Sequence, residues 1–335
     1  MDGGAPALGD HPGDGDWWTP ETALLWTGVV TIGIQGSCFL VAASCKFDKI
    51  TDFAGSMNFV AIALMSLFIG GHYSARNLLL VAYVCVSRFE LALFLLMRVL
   101  KRGKDDRFDE VREHFCRFLA FWVFQALWAW TVTSPVVLSC AANADADLEA
   151  ADYVGLALFV NGLLVQFVAD YQKSKFRADA ANRGRICDVG IWKWSRHPNY
   201  WGEILMWWGV FVGTLASGMG SDTWLGLMSP GFTMLILLGG TGMPVAENES
   251  IKRYGQGHGA QAFWEYRNQT SPLITVPPAL YLALPHPLRV LCCCEFGCYG
   301  SKPESSENPL AGGTQQTYSA TDSTEAKPDP EAGRA

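Results

Sequence analysis

Seven apolar segments recur along the chain and are separated by short polar loops. Each is about as long as the 20 residues of helix that cross the hydrocarbon core of a bilayer. The third segment is the most polar of them, because Arg88 and Glu90 interrupt its apolar run. The pattern predicts an all-α, multi-pass membrane bundle of about seven transmembrane helices, at residues 24–44, 54–71, 77–97, 115–139, 152–171, 200–218 and 223–243.

Composition supports this class, since half of the residues are hydrophobic and only 17% are charged. The formal net charge of −7 does not mark one acidic surface. The acidic residues concentrate in residues 1–21, in the loop 143–152 and near the C-terminus. We therefore expect a lipid bilayer as a partner and no nucleic acid, while the pattern indicates no oligomeric state.

Basic residues lie on alternate loops between the predicted spans. They occur in residues 45–53, 98–114 and 172–196, whereas the intervening loops contain only Arg76. With seven spans, the positive-inside rule predicts a lumenal N-terminus and a cytosolic C-terminus. The first 45 residues contain no Lys or Arg, so we expect neither a secretory signal nor a transit peptide. The endoplasmic reticulum is then the expected membrane.

The rest of the domain organisation follows from the polar ends. Residues 1–20 and 296–335 are predicted to be disordered tails, and residues 21–295 to form the membrane-embedded domain. Pro244 is expected to break the last span, and the polar stretch after it to form short cytosolic helices. The apolar residues 279–296 are interrupted by two prolines, which favours an interfacial or re-entrant segment over an eighth span.

A cysteine cluster closes this segment. For Cys292, Cys293, Cys294 and Cys298 we favour S-palmitoylation beside the membrane. The alternatives are a plain run of small residues, or metal binding, for which a histidine and the usual spacing are lacking. We predict no metal site.

The stretch from residue 170 to residue 209 concentrates the chemistry. Pro198 suits the first turn of a helix, which makes His197 its cap and points the first N–H groups at the preceding loop. A helix start surrounded by cations is an anion site. The alternative is that the loop is only a topology signal. Its basic residues are Lys173, Lys175, Arg177, Arg183, Arg185, Lys193 and Arg196.

Three polar residues then enter the apolar helix. Asn199 and Glu203 share a face with Tyr200 beside them. A carboxylate in an apolar membrane segment is costly and usually functional, although helix packing beside an interfacial tyrosine is an alternative. Glu247 and Glu249, which leave the last span, are candidate ligands for ribose hydroxyls or solvated charges.

The run from Gly190-Ile191-Trp192 through Ser195-Arg196-His197-Pro198-Asn199-Tyr200 to Gly202-Glu203 resembles the signature of the steroid 5-alpha-reductase-like superfamily. More specifically, it resembles the DUF1295 branch, which residues 47–53 and 107–109 also resemble more softly. The resemblance covers about residues 40–280. One departure is the third span, where Ser87-Arg88-Phe89-Glu90-Leu91 stands in place of a Trp-x-x-Arg-Leu pattern.

The resemblance implies an NADPH-binding half at about residues 170–280. It also implies a lipid or steroid-like small molecule as a further partner. The related sterol reductases share the spacing Lys173-x-x-Phe176-Arg177 and the later Arg253-Tyr254-Gly255. By resemblance, the cofactor contacts are Lys173, Arg177, Asn182, Trp192, Arg196, His197, Asn199, Tyr200, Arg253 and Tyr254.

The expected activity is therefore an NADPH-dependent reduction of a C=C bond in a steroid, sterol or other lipid, similar to that of 3-oxo-5-alpha-steroid 4-dehydrogenases. Tyr200 is the expected phenolic donor and Glu203 the group that orients it or the nicotinamide amide. One alternative is an S-adenosylmethionine-dependent methyltransferase of the isoprenylcysteine carboxyl type, which has a similar motif. Another is a non-enzymatic lipid-binding membrane protein.

Overall fold

The computed structural model describes residues 17–45, 51–102, 114–142, 147–217, 219–257 and 259–299, with side chains for all but 98–102, 221 and 298. Residues 1–16 and 300–335 of the predicted tails and the motif residues 47–50 and 107–109 lie outside this part. The helices are α1 (Pro20–Cys45), α2 (Thr51–Gly70), α3 (Ala75–Arg102), α4 (Phe115–Ala141), α5 (Ala150–Ala178), α6 (Pro198–Gly213), α7 (Met228–Met234), α8 (Met243–Tyr254), α9 (Ala260–Gln269), α10 (Pro278–Ala283) and α11 (His286–Cys293).

Six helical stretches in the described residues are long and apolar enough to cross a membrane. Together with the shorter helices, they confirm the predicted all-α, multi-pass bundle. Within the described ranges, pairing of extended backbone is limited to one isolated bridge between Ser195 and Ser271. The six stretches are Pro20–Cys45, Thr51–Gly70, Ala75–Met97, Phe115–Ala141, Ala150–Ala178 and Asp222–Tyr254.

The predicted span at residues 200–218 differs from the structure. It forms α6, a helix of 16 residues, which is about 24 Å long at 1.5 Å per residue, against roughly 30 Å for the hydrocarbon core. Polar side chains end it: the Thr214 hydroxyl donates to the Phe211 carbonyl at 2.7 Å, and the Ser217 hydroxyl to the Thr214 carbonyl at 2.6 Å. Hydropathy did not reveal this stop, because the residues around it are apolar.

The last apolar stretch is interrupted rather than straight. Its central part, Leu235–Gly239, is a π-helical turn, and the N–H groups of Gly240 and Gly242 both donate to the Ile236 carbonyl at 3.2 Å. Helix α8 then begins at Met243 with a proline in its first turn. Pro244 therefore helps to start a new helix, as proline does where a backbone donor is not needed. The short helices expected after it are α8 and α9.

The chain divides into two compact units. Of the described residues, the first contains those up to 159 and those in 207–232, and the second those in 160–206 and those from 233 onward. In the first unit, polar side chains pair on the buried helix faces: Asn58 donates to the Thr31 hydroxyl at 3.2 Å, and Gln125 to the Gln35 amide oxygen at 2.9 Å. Such pairs hold helices together where the surroundings are apolar.

Arg88 of the third span faces the inside of the first unit. Its guanidinium carbon lies 5.3 Å from the ring centre of Phe59 and 5.2 Å from that of Trp207. Cation–π contacts of this kind stabilise a cation that has left water. The third span is therefore a helix with a polar side that faces the inside of the first unit.

Candidate functional site

All residues predicted for the site belong to the second unit, and its centre is the start of α6. The helix begins at Pro198, as predicted, and the His197 carbonyl accepts its first hydrogen bond, from the Trp201 N–H at 3.2 Å. The His197 N–H donates to the Ser195 hydroxyl at 3.1 Å. That hydroxyl donates in turn to the Leu273 carbonyl at 2.5 Å. The helix start is thus fixed to a segment 78 residues later in the chain. The same segment pairs with Ser195 through an isolated backbone bridge to Ser271.

Glu247 brings three cationic or titratable side chains together. One carboxylate oxygen lies 3.0 Å from Arg196 Nε and 2.8 Å from His197 Nε2. The other contacts Arg267 Nη1. The side chains of Glu247, His197 and Arg267 are nearly fully buried. We call these four residues, Arg196, His197, Glu247 and Arg267, the ionic cluster.

Two backbone carbonyls complete the ionic cluster. Arg196 Nη1 donates to the Arg267 carbonyl at 2.9 Å, and Arg267 Nη2 donates to the Tyr299 carbonyl at 2.5 Å. The cluster therefore joins the start of α6, helix α8, helix α9 and the end of the described chain. Planar guanidinium groups suit such multiple, directed contacts.

His197 is uncharged at neutral pH in this arrangement. Burial, the largest influence, lowers its pKa below the ordinary histidine value, and the neighbouring Arg196 and Lys173 lower it further, against the opposing effect of Glu247. A neutral ring that donates from Nε2 to the Glu247 carboxylate fits the 2.8 Å contact. The other side of the imidazole stacks on Tyr200, with ring centres 5.3 Å apart and planes within 8° of each other. This stacking fixes the orientation of the predicted phenolic donor.

Trp192 forms a second centre beside the cluster. Its indole N–H donates to the Ala169 carbonyl at 2.9 Å, and Lys173 Nζ lies 4.1 Å from the centre of its ring. The Tyr266 hydroxyl donates to the Trp192 carbonyl at 2.7 Å. Burial raises the pKa of Tyr266, so this phenol stays protonated. Two predicted cofactor residues, Lys173 and Trp192, therefore contact each other.

Gly190 of the motif adopts a backbone conformation that favours glycine. Its φ of 53° lies in the left-handed region, and a Cβ there would come within 2.3 Å of the Gln172 amide. Gln172 Oε1 accepts a hydrogen bond from the Ile191 N–H at 2.9 Å, which holds the turn before Trp192. Only glycine accommodates both the dihedral angle and the close approach.

The remaining predicted cofactor residues are spread around these two centres. Asn182 lines a depression of about 490 Å³ together with Gln172, Lys175, Phe176, Ala178, Asp179 and Val189. The Arg177 side chain is exposed. Arg253 is exposed at the end of α8, and the ring of Tyr254 packs 6.1 Å from that of Phe263.

The predicted catalytic residues lie in the first two turns of α6. Asn199 and Tyr200 are half-buried, and Glu203 is 8% exposed. A backbone contact places this helix against α5: a Cβ on Gly162 would meet the Gly202 carbonyl at 2.5 Å, and a Cβ on Gly202 would meet the Gly162 carbonyl at 2.6 Å. Small residues permit such approach between membrane helices. The glycine before Glu203 thus sets the position of the carboxylate.

Sequence reasoning missed Arg267 and the role of Glu247. The Glu247 carboxylate is neither solvated nor left for ribose hydroxyls, because three protein side chains contact it. One signal was available for Arg267: in α9 it shares the buried face of Phe263 and Trp264. A cation on an apolar helix face indicates a buried partner.

Comparison with known proteins identifies a family. The DUF1295 family, described as a protein of unknown function, matches residues 38–270. An uncharacterized protein of Schizosaccharomyces pombe is 27% identical over 129 residues, which are 32% of this chain and 38% of that protein's length. The chain thus covers less than two thirds of that relative. No solved structure matches. The family match includes all four residues of the ionic cluster.

Proposed function

Because the chain belongs to the DUF1295 family, we propose that this membrane protein is an NADPH-dependent reductase of a C=C bond in a steroid, sterol or other lipid. The observation that carries the proposal is the charge balance of the ionic cluster. Two guanidinium groups and a neutral imidazole share one buried carboxylate, so one positive charge is in excess. Buried charge of one sign attracts a ligand of the other.

The donor set fits phosphate groups. Lys173 is an electrostatic neighbour of His197 and adds to the positive charge at the start of α6. NADPH carries a pyrophosphate and a 2′-phosphate, whereas S-adenosylmethionine has no phosphate and is cationic at sulfur. The charge therefore favours a reductase over a methyltransferase. We propose that Lys173, Arg196 and Asn199 hold the cofactor, and that Arg177, Asn182, Arg253 and Tyr254 contribute around them.

The protein groups that would act in the reaction are side chains of α6. NADPH, when bound, supplies the hydride for the β-carbon of an enone. Tyr200 would donate a hydrogen bond to the carbonyl oxygen as negative charge develops there. The stacked His197 ring holds the phenol in place, and Glu203 orients it from one turn further along. A solvent proton reaching the α-carbon completes the reduction.

We also propose a location in the endoplasmic reticulum with a lumenal N-terminus and a cytosolic C-terminus. The support is the basic loop 172–196, which carries the proposed phosphate contacts and belongs on the cytosolic side. This orientation requires α6 to be part of a crossing. Glycosylation tests it, because Asn248 and Asn268 should remain unmodified while a sequon introduced into the loop 140–151 is modified.

A ligand comparison tests the function. Purified protein in detergent is heated with NADPH, NADH or S-adenosylmethionine, and stabilisation of about 2.7 kcal/mol is expected at a concentration 100 times the dissociation constant. We expect NADPH to stabilise most. Arg196→Gln should abolish the shift, whereas Lys193→Gln, an exposed lysine of the same loop, should retain it.

Other outcomes would overturn the proposal. Stabilisation by S-adenosylmethionine alone would indicate a methyltransferase. The absence of any shift, with the protein folded, would indicate a non-enzymatic lipid-binding protein.

A further inference from the structure

The end of the described chain presents an apolar surface of its own. Residues 278–299 contain α10, α11 and a final turn, and several large apolar side chains there are exposed. These are Leu280 (54%), Leu282 (52%), Leu288 (42%), Leu291 (78%) and Phe296 (38%). We call this the terminal apolar surface.

Helix α11 has two distinct faces. Leu288, Leu291 and Cys292 are exposed and stand at i, i+3 and i+4, so they share one face. On the other side, Arg289 lies over the Tyr281 ring at 5.5 Å and Cys293 is 1% exposed. One face is thus fixed to the second unit, and the other is directed away from it.

The segment ends beside a membrane-spanning stretch. The Tyr299 hydroxyl donates to the Leu238 carbonyl at 2.9 Å, and Leu238 lies inside the apolar stretch Asp222–Tyr254. Leu235, one turn earlier on that stretch, is 66% exposed. Tyrosines are enriched at the membrane–water interface, where their rings lie at the level of the lipid headgroups. Tyr299 therefore ties the segment that carries the terminal apolar surface to the last apolar stretch, one turn from an exposed leucine.

The sequences of the two chain ends are poor in large apolar residues. Residues 300–335 are rich in Ser, Thr, Pro, Gly and Glu, and their large apolar residues are Leu310 and Tyr318. Residues 1–16 contribute Met1 and Leu8. A lipid interface accepts amphipathic helices with their apolar side inward.

We propose that residues 278–299 dock into the interfacial layer of the bilayer through the terminal apolar surface. The proposal is independent of the reductase activity. It has a consequence for the ionic cluster, since the Tyr299 carbonyl that this segment carries accepts from Arg267. The depth of the segment in the lipid and the position of Arg267 are thereby coupled.

Fluorescence quenching tests the docking. In the full chain, Cys298 is replaced by serine together with Cys45 and Cys116, the other cysteines that are exposed among the described residues. This protein is labelled with bimane at Cys292 and reconstituted into phosphatidylcholine vesicles. Doxyl groups on the lipid acyl chains should quench this label several-fold more than aqueous iodide does. A control label at Lys252→Cys, an exposed site at the end of α8, should show the reverse preference.

Two results would overturn the proposal. Iodide quenching at position 292 equal to that of the control would place the surface in water. Protection from both quenchers together with oxidative cross-linking through Cys292 would make a second copy of the chain the partner.

A double variant provides an independent check. Leu288→Gln with Leu291→Gln changes exposed residues, so the folded protein should keep its melting temperature in detergent. In vesicles, lipid quenching at position 292 should fall by at least half. Unchanged quenching in this variant would show that the two leucines do not hold the segment in the membrane, against the proposal.

Discussion

Each unit contains a buried ionic contact, and the two are built differently. In the first unit, Arg76 and Asp152 form a one-to-one pair: Nε and Nη2 donate to the two carboxylate oxygens at 2.8 and 2.9 Å. The Glu149 N–H and the Asp147 carbonyl satisfy further atoms of the pair. In the second unit, Glu247 serves three partners. A balanced pair stabilises a loop, whereas an unbalanced cluster is suited to a charged ligand.

The largest expected effect concerns the balanced pair. Asp152→Ala leaves the Arg76 guanidinium buried without its carboxylate, so we expect a loss of about 3–5 kcal/mol in the free energy of unfolding. Chemical unfolding in detergent measures it. NADPH affinity of the folded fraction should be unchanged. The double change Arg76→Leu and Asp152→Leu should recover much of the stability. A weakened NADPH affinity in Asp152→Ala would contradict a purely stabilising role for this pair.

Tyr200→Phe tests whether the Tyr200 phenol takes part in the reaction. The variant keeps the ring that stacks on His197, so NADPH should bind as in the native chain. Turnover of an enone lipid should fall about 100-fold or more, the usual cost of losing a hydrogen-bond donor to a developing oxyanion. Tyr266→Phe is a matched control, because the Tyr266 hydroxyl donates to the backbone carbonyl of Trp192. Full activity of Tyr200→Phe would remove the phenol from the mechanism.

Glu247→Gln removes the charge that the cluster shares. Arg196, His197 and Arg267 lose their charged acceptor, and we expect a loss of about 2 kcal/mol in stability. NADPH affinity should fall roughly tenfold, since Arg196 is no longer held in position. Glu249→Gln is the control on the same helix, because this exposed carboxylate pairs with Lys252 at the surface. Equal effects of the two variants would contradict a special role for Glu247.

The smallest effect is a pH dependence. Burial lowers the pKa of His197 in the folded state, so as the pH falls through the ordinary histidine range the unfolded chain takes up this proton first. Stability should therefore decrease as the pH is lowered from about 7 toward 5. His197→Gln should flatten this part of the profile, whereas His286→Gln, at an exposed histidine, should not. A profile that His197→Gln leaves unaltered would contradict a neutral, buried imidazole.

The sequence predicted the helices whose positions depend on residues close together in the chain. Hydropathy located α1 to α5, and Pro198 marked the start of α6 within one residue. The end of α6 was missed because it depends on the hydroxyls of Thr214 and Ser217, which hydropathy counts as neutral. The partners of His197 were missed for another reason. Glu247 is 50 residues away in the sequence, and no periodicity connects contacts at that distance.

The backbone contact between Gly162 and Gly202 has a consequence for inherited variation. Every single-base change in a glycine codon that alters the amino acid adds at least a Cβ or ends the chain. At these two positions a Cβ would lie 2.5 and 2.6 Å from a carbonyl oxygen of the opposite helix, closer than side-chain carbons are found. Missense alleles at either codon should therefore lower the amount of folded protein in cells, however mild the substituted residue is.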